Sequence, residues 1–165
     1  MKKNILLIII AFAFFSCKKQ PFFSNFDEVV YFRLKDEILI NHKTKDSISK
    51  KVFFEDYPSE LSDNLFYEKL KLNYYSNKSF SESDVANFKD IFNDKTFTDQ
   101  YTTACIPEFR DILILKKDKK TVGIVKICIE CEMNFIIGKN EKGLEISNSG
   151  GLKIVELEKL ISKYK

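Results

Sequence analysis

Read for its apolar and polar positions, the chain is organised around residues 105–131. There Cys-Ile-Pro-Glu-Phe-Arg-Asp-Ile-Leu-Ile-Leu leads through a charged Lys116–Lys120 link into Thr-Val-Gly-Ile-Val-Lys-Ile-Cys-Ile-Glu-Cys. Two β-branched runs joined by a short polar link predict a β-hairpin, 109–116 against 121–131. Upstream, Val29–Leu34 reads as a strand with Ile38–Ile40 as its hairpin partner, and Lys51–Phe54 as another short strand. In 68–74 Leu70, Leu72 and Tyr74 alternate with polar residues, the period of a strand with one wet face. Ser81 with Asp84 three residues on resembles a capping box, and Val85, Phe88, Ile91 and Phe92 follow at helical spacing, which predicts a helix over 82–93.

Beyond the hairpin, its second strand continues or bends into Met133–Gly138, and 144–146 reads as an edge strand. Gly150-Gly151 breaks the chain before a terminal helix over 152–164. Its stripe is Ile154, Leu157, Ile161 and Tyr164, widened by Val155 and Leu160. Strands and helices do not alternate strictly. The expectation is an α+β fold with an antiparallel sheet of about five to six strands and two packed helices.

The N-terminus changes the picture. Met1-Lys2-Lys3-Asn4 is a basic head, and Ile5 to Phe15 is an uninterrupted apolar run of eleven residues. That length suits a signal-peptide core and falls short of a spanning helix. Phe14-Phe15-Ser16-Cys17 resembles the lipobox of bacterial lipoproteins, with Phe where Leu is usual. The resemblance implies removal of 1–16, lipidation of Cys17, a tether over 17–25 and one domain over 26–165. Lys18 follows Cys17 and no acidic run follows it, so the expected location is the periplasmic face of the outer membrane.

Removing 1–16 takes Lys2 and Lys3, leaving 25 Lys and Arg against 24 Asp and Glu. A near-neutral chain without a basic stripe argues against nucleic acid as a partner. The single histidine, His42, sits in a polar stretch, which excludes multi-histidine metal centres. Nothing marks a nucleophile elbow.

The candidate chemistry is the cysteine end of the hairpin. With Lys117 and Lys120 closing the turn, Phe109 falls opposite Cys128 and Ile106 opposite Cys131, so Cys105, Cys128 and Cys131 gather at one end. Parity places Val125, Ile127, Ile129 and Cys131 on one face and Lys126, Cys128 and Glu130 on the other, wetter one. Residues three apart in a straight strand are about 10 Å apart, beyond the roughly 7 Å reach of a disulfide, so a 128–131 bridge requires a bend. Three readings follow. An oxidising compartment favours a structural disulfide, Cys105 to Cys131, with Cys128 left as a thiol. A three-thiolate site would hold zinc, although no second Cys pair or nearby His completes it. A redox-active Cys-x-x-Cys is the third, against its strand context. Arg110 and Asp111 adjoin this end as candidates for an anion or partner contact.

Cys105, Pro107, Arg110, Asp111, Cys128 and Cys131, with the Gly-preceded terminal helix, resemble a group of small uncharacterised lipoproteins of Bacteroidota-type bacteria. The resemblance covers about sixty residues and implies no activity. The functional expectation is a membrane-anchored, non-enzymatic binding or structural module for another envelope protein, with no cofactor. Thiol or zinc chemistry at the three cysteines is the alternative.

Overall fold

The computed structural model describes residues 25–36, 46–72, 74–93, 97–98, 104–139, 145–152 and 154–165. The expected signal segment, Cys17, most of the expected tether, the expected strand at 38–40 and His42 lie outside the described residues.

The architecture is α+β with an open antiparallel sheet. Its strands are β1 (Glu28–Leu34), β2 (Tyr75–Ser79), β3 (Phe97–Thr98), β4 (Asp111–Lys117), β5 (Lys120–Cys128), β6 (Met133–Lys139) and β7 (Glu145–Leu152), ordered β2-β1-β4-β5-β6-β7-β3. Five of them run for seven to nine residues, and β2 and β3 are short edges. The described helices are α1 (Ser47–Phe54), α2 (Asn64–Lys71), α3 (Glu82–Asn93) and α4 (Ile154–Ser162).

Both faces of the sheet are covered. On one, Val85, Phe88 and Phe92 of α3 and Leu157, Leu160 and Ile161 of α4 pack against Val29, Tyr31, Leu113, Leu115, Val125 and Ile136. On the other, Val52 and Phe53 of α1 and Phe66 and Leu70 of α2 pack against Leu34, Ile112, Ile114, Ile124 and Ile137. This explains why Ile112-Leu113-Ile114-Leu115 is apolar without alternation: each side chain has a helix layer above or below it. A buried Phe such as Phe88 contributes about 1.5–3 kcal/mol relative to leaving it in water.

Helix α3 has the expected bounds, and its N-terminus is capped as expected. The Asp84 amide donates to Ser81 Oγ at 3.2 Å. Two segments read as strands are helices instead. In α1, Asp46 accepts the Ser49 amide at 2.8 Å and its hydroxyl at 2.7 Å, and the buried positions Ser49, Val52 and Phe53 fall on one helical face. In α2, Asp63 accepts the Phe66 amide at 3.2 Å, and Phe66 and Leu70 are buried one turn apart. Leu72, which completed the apparent alternation, is the exposed C-cap, and the strand starts at Tyr75. The terminal helix begins at Ile154 because β7 runs through Gly150-Gly151 to Leu152, pairing with β6 on one side and β3 on the other. Val155 does not widen its apolar stripe and is exposed.

The central hairpin closes through Asp118 and Lys119, both at positive φ, a two-residue turn whose twist suits antiparallel strands. Lys116↔Thr121 and Lys117↔Lys120 pair as expected, but a bulge follows, and Leu115 pairs with Gly123. A Cβ on Gly123 would stand 3.1 Å from Leu115 Cδ1, which favours glycine at this close approach. The shift by one residue means the ladder ends at Asp111↔Ile127, so Phe109–Cys128 and Ile106–Cys131 are not ladder pairs. The second strand does not run on to 131. It stops at Cys128, turns over 129–132 and returns as β6.

Candidate functional site

The sheet has two distinguishable ends. At one lie the 118–119 turn and the start of β1, where Glu28 pairs with Lys116 and receives its ammonium at 2.9 Å. At the other, about 20 Å away along the seven residues of β4, lie residues 105–110 and the 129–132 turn.

Cys105 and Cys131 are joined by a disulfide with Cα atoms 5.7 Å apart, which ties the approach to β4 onto the β5–β6 turn. Cys128 is a thiol and is buried, not on a wetter face. Parity failed for Cys131 as well: the 129–132 turn interrupts the alternation, and Cys131 packs in the α1–α2 cluster with Cys128 rather than with Ile127. Cys128 Sγ accepts the Glu108 amide at 3.3 Å and also the Cys131 amide. Burial nevertheless pushes the thiol above its ordinary pKa, against these amides.

Arg110 and Asp111 part company, as neighbours in extended chain should. Arg110 reaches Glu108 at 2.6 Å and Glu130 at 3.2 Å, pinning the 105–110 segment to the turn beside the disulfide. Asp111 is buried under the other helix layer, where it accepts from the Tyr31 hydroxyl and, at 3.1 Å, from Arg33. Burial first, then the Asp111 charge, pushes the Tyr31 phenol well above its usual range. Asp111, expected at a surface contact, is instead buried in an internal network with Tyr31 and Arg33.

Lys126, expected on the wetter face, is fully buried, 0% exposed. Its Nζ donates to the carbonyls of Glu55 at 2.5 Å and Tyr57 at 3.0 Å, and lies 4.4 Å from the Phe109 ring centroid. Burial lowers its pKa to about 7, opposed by the charges of Asp56 and Glu55. The carbonyls follow the end of α1, so this lysine holds the α1–α2 connection on the sheet. A lysine flanked by Ile124-Val125 and Ile127-Cys128 was the available sign that its face is covered.

At the surface of this end stands Ile106, 78% exposed between the disulfide and Pro107, while its carbonyl lies 3.4 Å from Cys131 Sγ. The Phe109 amide donates to the Phe53 carbonyl at 2.8 Å, bringing the end of α1, with exposed Phe54, to the same end. Among the described residues no group of three or more His, Cys, Asp or Glu side chains is arranged to hold a metal ion. With two sulfurs in a disulfide, a three-thiolate zinc set is not available in this oxidised form. No described helix is long and apolar enough to cross a membrane. Comparison with protein-family models, curated proteins and solved structures finds no match.

Proposed function

We propose that the chain is a lipid-anchored envelope module that binds another envelope protein through its disulfide end. The observation that carries this reading is the position of Ile106. It is exposed, held by a disulfide, and located at the end of the sheet opposite to where the chain enters from residue 25. A module held through Cys17 would turn this end away from the bilayer. Glu108, Glu130 and Glu132 belong to the two segments that the disulfide joins, with Arg110 engaged by the first two, so the fitting partner surface is apolar where it meets Ile106 and basic beside it. Ordering a loop before binding lowers the entropy lost on association, a use for a disulfide beside an exposed apolar residue.

A photo-crosslinking residue at position 106, compared with one at Lys119 in the opposite turn, tests this in intact cells. A discrete protein adduct from 106, absent from 119 and abolished when Glu108 and Glu130 are both changed to Lys, supports the reading. Equal adducts from both positions, or none from 106, would overturn it.

A further inference from the structure

We infer that the three cysteines form an internal thiol–disulfide exchange switch, in which Cys128 displaces Cys105 from Cys131 and releases the 105–110 segment. A 128–131 bridge requires the chain to bend after Cys128, and it does. β5 ends there, residues 129–132 form a turn closed by the Glu132 amide on the Ile129 carbonyl at 3.1 Å, and Glu132 has φ 51°. The bend carries Cys131 back so far that its own amide donates to Cys128 Sγ. Both sulfurs lie in one buried cluster, with Cys105 packed against it. Glu130 Oε2 stands 4.0 Å from Cys128 Sγ, so the thiol lies beside the turn that carries Cys131. Arg110, on Glu130 and Glu108, places a cation near the sulfur.

The step balances without an outside oxidant. Cys128 loses its proton to base in the solvent, and the thiolate attacks Cys131 Sγ. The S128–S131 bond forms and the S105–S131 bond breaks. The electron pair leaves on Cys105, which then takes up the proton. One disulfide and one thiol exist before and after. What changes is that Cys105, on an irregular segment next to exposed Ile106, becomes the thiol. Burial, with smaller contributions from the charges of Glu130 and Glu108, holds the Cys128 thiol above the ordinary range, so exchange should be slow at neutral pH and quicken as pH rises.

This inference concerns the same end of the molecule as the proposed docking surface but needs neither anchor nor partner, so the two fail separately. The full chain in detergent, without reductant, is alkylated natively over time at pH 7 and pH 8.5 and mapped by mass spectrometry. The expected result is alkylated Cys105 appearing together with a 128–131 disulfide, at least ten-fold faster at pH 8.5. In Cys128→Ser Cys105 labelling is lost. Cys105→Ser supplies the second test, since after oxidation with oxidised glutathione it should hold a 128–131 bridge. A wild-type bridge that stays at 105–131 throughout would overturn the inference. So would Cys105 labelling in Cys128→Ser at the wild-type rate, or two unbridged thiols in folded, oxidised Cys105→Ser.

Discussion

Lys126 and Asp111 are the residues whose environments matter most beyond the cysteines, and each leads to a test. An ammonium with a folded pKa of about 7 sits well below the roughly 10.4 of an unfolded lysine. Between those values the unfolded lysine binds more protons, so stability should rise with pH from about 7. From about pH 8.5 the Cys128 thiol, and above about pH 10 tyrosines such as Tyr31, oppose that slope, because their raised pKa values mean that only the unfolded chain then loses their protons. Unfolding free energies from urea titration at pH 7 and pH 9.5 should differ by about 2 kcal/mol in the wild type, under the ceiling of about 1.4 per pH unit. Lys126→Met should flatten that difference. An equally steep profile in the variant would show that another group titrates. Asp111→Ala leaves a buried phenol and a guanidinium without their shared acceptor, and removing one member of a buried pair costs about 3–5 kcal/mol. Since Arg33 keeps some solvent contact and a second carboxylate, Asp36, at 3.8 Å, the lower end is expected in denaturant titration.

At the scale of elements, caps and the disulfide decide what stays in place. Helix α1 begins on an aspartate cap and α3 carries one in its first turn, both held to about pKa 2, Asp46 chiefly by the Ser49 amide and Asp84 chiefly by Lys163, at 2.7 Å. A carboxylate lowered in the folded state adds stability that is complete above its unfolded pKa near 4 and is lost as pH falls toward 2. Helical signal should therefore weaken between pH 4 and 2. Asp46→Asn and Asp84→Asn together should shift stability at neutral pH while lessening that acid dependence, read by circular dichroism with urea. Removing the disulfide as Cys105→Ala with Cys131→Ala opens a loop with a sequence separation of 26, worth about 3–4 kcal/mol in the chain-entropy model. Thermal and urea unfolding should both report it. A loss well under 1 kcal/mol would mean that Arg110 and its two carboxylates alone hold the segment.

For the whole molecule, the governing feature is the separation of the two ends of the sheet. Chain entry near Asp27 and the basic 116–120 turn share one end, with Lys117 on Asp27 at 3.1 Å. The disulfide, Ile106 and the Arg110 pair occupy the other. Under the proposed anchorage, Cys17→Ala should move the protein from the membrane fraction to the soluble fraction or leave it unprocessed, as immunoblotting after fractionation would reveal. A membrane fraction unchanged by that substitution would remove the anchor, and with it the reason for the disulfide end to face away from a bilayer.

What the sequence by itself determined was local and periodic. The α+β class, helix α3 with its Ser81 cap and the hairpin with its turn between Lys117 and Lys120 follow from spacing along the chain, whereas Cys105 meets Cys131 through the 129–132 turn and not through the expected register. Short segments were beyond that reach: in 51–54 and 68–74 aromatic or alternating residues satisfy a strand and a helix equally well. There the helix won because it sets Val52 and Phe53, and Phe66 and Leu70, on the sheet face that would otherwise meet water. Tertiary structure alone decided the side-chain environments. Asp111 meets Tyr31 from 80 residues away. Lys126 is dry because α1 and the segment after it cover its face. Cys131 changed faces because a tight turn ends the strand's alternation. Local preferences differ by about a kcal/mol or less per residue, whereas covering a sheet face involves several buried side chains at about 1.5–3 kcal/mol each, so the long-range packing prevails wherever the two disagree.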